Sequence, residues 1–289
     1  MKVLPSSFPQ RLSFPSNDAL IRILAVLLAL QSVVFNGITQ AHDETLLVLI
    51  VWWGAYLALD HACLDDRLRP TPSGMSVGAL LVLWVLWRSF LINGANLGAP
   101  LLPFLAGLGL ALLAAAPQQL RRFLPSLAIL ALLPLMRALQ IPYPIQLTYA
   151  TAHLTKFFLI LCGLPVAVQG NLVSLPGGSV TVASQCTGLP AMVQLMTIAI
   201  IFAVVFPMRW RWQNLLMILC AVSLAFLING VRIALLAIIN SSDFPGKAWW
   251  FENFHNGWPA WIFPAIAAFF FVNIYTFWLE AQVESLEQS

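Results

Sequence analysis

The stretch VTVASQCTGLPAM, Val180–Met192, runs straight into VQLMTIAIIFAVVF, which ends at Phe206. An alternating polar and β-branched run meets a cysteine, and the chain then becomes an apolar segment long enough to cross a hydrocarbon layer as a helix. Cys186 therefore stands at the joint between a water-facing strand and a buried helix. Just upstream, VQGNLVSLPGGS carries a second strand-like run and a Pro-Gly-Gly turn, so the segment reads as a short β-hairpin whose second arm delivers Cys186 to the membrane.

The rest of the chain is of the same apolar kind. Of 289 residues, 60% are hydrophobic and 9% charged, more apolar surface than a soluble core could absorb. Eight spans are expected, at about 19–38, 45–63, 76–92, 98–116, 123–139, 187–206, 213–240 and 258–279. The first lacks a small-residue cleavage signal and reads as retained. The expected fold is an all-α polytopic membrane protein of one domain, residues 1–289, with an extracytoplasmic β-hairpin before the sixth span. No internal repeat is visible.

Charge sets the orientation. With a cytoplasmic amino terminus and eight spans, Arg67, Arg69, Arg121, Arg122, Arg209 and Arg211 fall inside, while Lys156 and Lys247 fall outside. A further segment at about 149–164 carries His153 and Lys156; if it crossed, every later loop would invert, so it is placed on or partly in the outer leaflet. Pro142 and Pro144 would turn the chain before it. The net charge of +3 is dispersed between spans and forms no nucleic-acid-binding stripe.

Cys186, Arg232 and His255, borne by or beside three different spans, are then all expected toward the outer face of the membrane. Arg232 lies eight positions before Asn240, about 12 Å below the outer end of its helix. An intramembrane arginine costs at least ~2.5 kcal/mol at a helix centre and usually faces a bundle interior or a water-filled cavity; snorkelling to the headgroups or a structural bond to backbone carbonyls is the plain alternative. Asn229, three positions earlier, extends a polar seam or bonds a neighbouring helix. His255 precedes the last span among Trp249, Trp250, Trp258 and Trp261, where an interfacial aromatic belt is the plain reading.

Their chemistry is complementary. A thiol at a helix amino terminus near a cation favours the thiolate, a histidine can take the thiol proton and return it to a leaving amine, and arginine can hold a developing oxyanion. The set suits acyl transfer through a thioester, which needs no cofactor; no metal-ligand spacing occurs. Gln185 and Thr187 flank the thiol and are candidate substrate-binding residues with Asn229, although polar residues at a helix start are commonly caps. Gln194 lies on a similar face and lines a cavity or bonds a helix. Arg88 and Arg137 read as snorkelling or helix-pairing residues, and Cys63 and Cys220 as packed hydrophobes. His42 and His61 have no evident partner.

The segments SQCTGLPAM, LINGVRIALL and FHNGW resemble, in order and spacing, the three signature regions of the exosortase/archaeosortase family, within about residues 170–271. Thr187 stands where many relatives have serine, and His255 fits a bacterial exosortase. The resemblance implies a cysteine endopeptidase/transpeptidase of the inner membrane, with Cys186 as nucleophile, Arg232 as stabiliser of the tetrahedral intermediate and His255 as third catalytic residue. It implies partners carrying a carboxy-terminal PEP-CTERM-type sorting tail, and transfer to an acceptor nucleophile the sequence does not identify. The competing class is a non-catalytic transporter or export-assembly subunit, whose intramembrane polar residues would line a solute path.

Overall fold

A computed structural model describes residues 23–32, 42–60, 70–91, 98–140 and 145–287. It is a bundle of helices with one small sheet: α1 (Ile23–Ser32), α2 (His42–Asp60), α3 (Pro72–Leu91), α4 (Leu101–Ala114), α5 (Leu124–Leu130), α6 (Leu132–Gln140), α7 (Ile145–Leu161), α8 (Leu189–Val205), α9 (Arg211–Ser241), α10 (Lys247–His255) and α11 (Ile262–Glu287). The sheet, β1 (Ala167–Gln169), β2 (Leu172–Leu175) and β3 (Gly178–Thr181), lies between α7 and α8.

Five stretches are long and apolar enough to cross a membrane: Pro72–Leu91, Pro117–Ala138, Ser184–Val205, Arg211–Ser241 and Trp258–Ser285. They match the third, fifth, sixth, seventh and eighth expected spans. The other three coincide with shorter apolar helices, Ile23–Ser32, Thr45–Leu59 and Leu101–Ala114. The last is only 14 residues, about 21 Å long, because Pro100 precedes it and Ala115 turns to an extended conformation before Pro117. Parts of the first two expected spans, with His61, Cys63, Arg67, Arg69, Pro142 and Pro144, lie outside the described residues. The fifth expected span begins as a 3₁₀ turn at Pro117–Phe123 and is interrupted at Ala131.

Large apolar side chains such as Trp53, Leu80, Leu83, Phe90, Phe269 and Phe277 are exposed around the bundle. In water they would be a liability; against lipid they are the expected outer surface. Helices approach closely where side chains are small: a Cβ on Gly78 of α3 would sit 2.7 Å from the Gly109 carbonyl oxygen of α4.

The central element is α9. Its 31 residues rise about 46 Å, more than a hydrocarbon layer of about 30 Å, so one end stands clear of the apolar core. It packs against α7, α8, α10, α11 and the sheet. Leu154 and Phe158 of α7 crowd onto Gly230, so residues 145–161 form a helix packed on α9. At the opposite end Arg211 opens α9, and the Arg209 N–H donates to Gln282 of α11 at 2.9 Å.

The sheet has the order β1-β2-β3 and is antiparallel throughout. The two expected arms are β2 and β3; a third strand precedes them because Gly170, at φ +62, and Asn171 make a second tight turn. The glycines after Pro176 have a packing reason. A Cβ on Gly177 would sit 2.6 Å from the Ser241 carbonyl oxygen and one on Gly178 would sit 2.7 Å from that of Asn240, so the turn is pressed against the end of α9. Asn240 Nδ2 donates to the Ser179 carbonyl at 2.8 Å and fixes the sheet there.

Candidate active site

The thiol is positioned by a short path from β3. Val182 is fully buried, Ser184–Cys186 forms one 3₁₀ turn, and the Cys186 N–H donates to the Ala183 carbonyl at 2.9 Å. Gly188 then adopts φ +82, which swings the chain into α8, with Pro190 in its first turn. A side chain cannot replace this glycine: its Cβ would stand 2.7 Å from the Asn229 amide. Asn229, buried in mid-α9, donates from Nδ2 to the Cys186 carbonyl at 3.1 Å, and Thr151 of α7 donates to the Thr187 carbonyl at 3.1 Å. The cysteine loop is therefore held from two helices.

His255 is the last residue of α10, and its Nε2 lies 3.3 Å from Cys186 Sγ. Phe251, one turn earlier, places its ring 5.6 Å from the imidazole. The carbonyls of Phe254 and His255 end the helix, where no intrahelical donor follows. Arg232 supplies donors: its Nε bonds the Phe254 carbonyl at 3.2 Å and its Nη2 bonds the His255 carbonyl. At the other end of α10, Lys247 Nζ donates to the Asn240 carbonyl at 3.0 Å. Both ends of the histidine-bearing helix are thus tied to α9.

Two clefts meet at the Cys186–His255 pair. The larger, about 350 Å³, runs between α8, α9 and α11; Arg232, Asn229, Gln185 and Gln194 face it, and its walls include Ile198, Ala225 and Ala267. The smaller, about 180 Å³, lies between β3, α9 and Phe251. Gln185, Cys186 and His255 border both.

A family model described as transmembrane exosortase matches residues 37–272. The chain belongs to the transmembrane exosortase family. The match covers every exosortase element described around the thiol: the sheet, the cysteine loop, α9 and α10. No curated protein and no solved structure matches the chain significantly.

Of the residues singled out in this exosortase sequence, the structure gathers Cys186, Asn229, Arg232, His255, Gln185 and Gln194 around the larger cleft. Thr187 is apart from it: it is buried, and its hydroxyl donates to the Ser184 carbonyl at 2.9 Å, a local capping bond. His153 is exposed on α7 and borders neither cleft. Sequence reasoning missed Gly188, Thr151, Phe251 and Asn240. Gly188 alone left a signal, as a glycine between a polar turn and a proline-led helix.

Proposed function

We propose that this exosortase is a membrane cysteine endopeptidase/transpeptidase that cleaves PEP-CTERM-type carboxy-terminal sorting tails at the outer face of the inner membrane. The observation that carries the reading is the 3.3 Å approach of Cys186 Sγ to His255 Nε2 where the two clefts meet. That separation lets an imidazole take the thiol proton directly.

The steps follow from these groups. His255 Nε2 accepts the Cys186 proton as Sγ bonds to the carbonyl carbon of the scissile amide, and the carbonyl electron pair moves onto its oxygen. Arg232 faces the same cleft and brings positive charge toward that oxyanion, while its bonds to α10 hold the imidazole in place. Collapse breaks the C–N bond; the imidazolium returns its proton to the leaving amine, and the acyl group remains on Sγ as a thioester. An acceptor nucleophile then loses a proton to His255 and attacks the thioester carbonyl, which releases the thiol. Gln185 and Asn229 border the cleft that the substrate enters, and Asn229 also anchors the Cys186 carbonyl.

An outward site is supported by charge. Arg211 lies 21 residues, about 31 Å, below Arg232 along α9, so the arginines at 209 and 211 occupy the opposite end of the bundle, the cytoplasmic end by the positive-inside rule. The test is a cell expressing Cys186→Ala in place of the wild type. Full-length tailed protein should accumulate in the membrane. Normal processing in that strain would reject the peptidase reading and favour a transport or assembly role.

A further inference from the structure

The smaller cleft takes its outer wall from an open sheet edge. Among the described residues β3 pairs with β2 alone, and its other edge faces α9 and the cleft that holds Cys186 and His255. The pairing register fixes which backbone groups point which way. Leu175↔Gly178 closes the two-residue turn, and Val182 donates its N–H to the Asn171 carbonyl at 2.8 Å. Alternation along an antiparallel ladder therefore directs Gly178, Val180 and Val182 toward β2 and directs Ser179 and Thr181 away from it. Ser179 is already used, since its carbonyl accepts from Asn240. Thr181, exposed and opposite Leu172 in a non-bonded pair, presents both its N–H and its C=O off the edge, beside the cleft.

The two clefts differ in kind. The larger is walled in part by Ile198, Ala225 and Ala267 of three membrane-length helices. The smaller is bounded by backbone-rich strand on one side and by Ile233 and Leu236 on the other. A peptide bond attacked by Cys186 lies at their junction, so one flank of the chain enters the helical cleft and the other leaves along the sheet.

On the reading that Cys186 cleaves a polypeptide, we infer that the edge of β3 is a substrate rail: an extended segment flanking the scissile bond pairs with the backbone N–H and C=O of Thr181. Recognition there is by main chain, so it accepts varied side chains while fixing the depth and register of the scissile carbonyl. The rail also holds the acyl portion after the helical flank has departed.

The test uses the full-length protein in lipid nanodiscs and a fluorescent reporter ending in a PEP-CTERM-type tail. Thr181→Pro removes the N–H at an edge position where proline is compatible with the strand. Its KM should rise about two- to twelvefold, the value of the one main-chain hydrogen bond lost, with kcat little changed. Thr181→Ala keeps the amide and should cost clearly less. Equal KM values for Thr181→Pro and wild type, or an Ala variant as impaired as the Pro variant, would overturn the rail. An amide-to-ester scan of a synthetic tail peptide against the wild-type protein removes the dependence on folding of a variant. KM should rise for an ester on one flank of the scissile bond only, and a flat scan would overturn the inference. Cys186→Ala separates the two ideas: unaffected cleavage there rejects the peptidase reading itself, whereas lost cleavage with a flat ester scan rejects the rail alone.

Discussion

Replacing Arg232 by lysine keeps a positive charge in the cleft but removes the fork that grips the end of α10. The guanidinium bonds two carbonyls, those of Phe254 and His255, from two different nitrogens. Lysine offers a compact point charge on a flexible stem and can replace one such bond at most. A hydrogen bond to a charged group is worth about 1.5–3 kcal/mol, so the loss of one, expressed as misplacement of the imidazole, lowers the rate roughly 10- to 150-fold. The assay is single-turnover cleavage of a tailed reporter in proteoliposomes, paired with the pH profile of Cys186 alkylation by iodoacetamide, read by peptide mass so that the exposed Cys162 does not interfere. Alkylation forms no oxyanion. If Arg232 positions His255, the lysine variant should lose rate and also change its alkylation profile. Unimpaired cleavage would refute the reasoning, and so would impaired cleavage with an unaltered profile, which would assign Arg232 to the oxyanion alone.

Three further outcomes are expected. Asn229→Ala strips the Cys186 carbonyl of its only described side-chain donor, at a cost of about 1–3 kcal/mol for a buried unsatisfied group; single-turnover cleavage should fall roughly 5- to 150-fold with KM little changed. Gly188→Ala combines φ +82 with a Cβ 2.7 Å from Asn229, so thermal unfolding in detergent should shift down and cleavage should be lost together. Gly178→Val drives a side chain into the Asn240 carbonyl and lifts the hairpin from α9; limited proteolysis should cut the 167–181 segment faster than in the wild type.

Hydrophobicity alone marked the eight expected spans, because lipid imposes a long apolar run on any crossing helix. The Pro-Gly-Gly turn marked β2 and β3, since a proline-glycine pair has few other uses between alternating runs. Two elements were hidden. β1 is three residues long, and its turn carries only Gly170 and Asn171. α10 was read as an aromatic interface, because KAWWFENFH has no single apolar face to reveal a helix. The same limit applies to the site. Cys186, Arg232 and His255 stand out because each is costly or unusual where it sits. Apart from the Cys186–His255 contact itself, the bonds that position them run through backbone carbonyls: Cys186 to Asn229, and Phe254 and His255 to Arg232. Every residue has a carbonyl, so no side-chain pattern announces which one a distant arginine will hold.

The most direct measurement is the mass of the protein after brief incubation with a tailed reporter and acid quench. A thioester between the reporter's new carboxyl end and Cys186, mapped to that residue and released by hydroxylamine, is the expected result. Cleavage that proceeds with no adduct on Cys186, and persists in Cys186→Ala, would contradict the assignment of the sulfur at this junction as the attacking group.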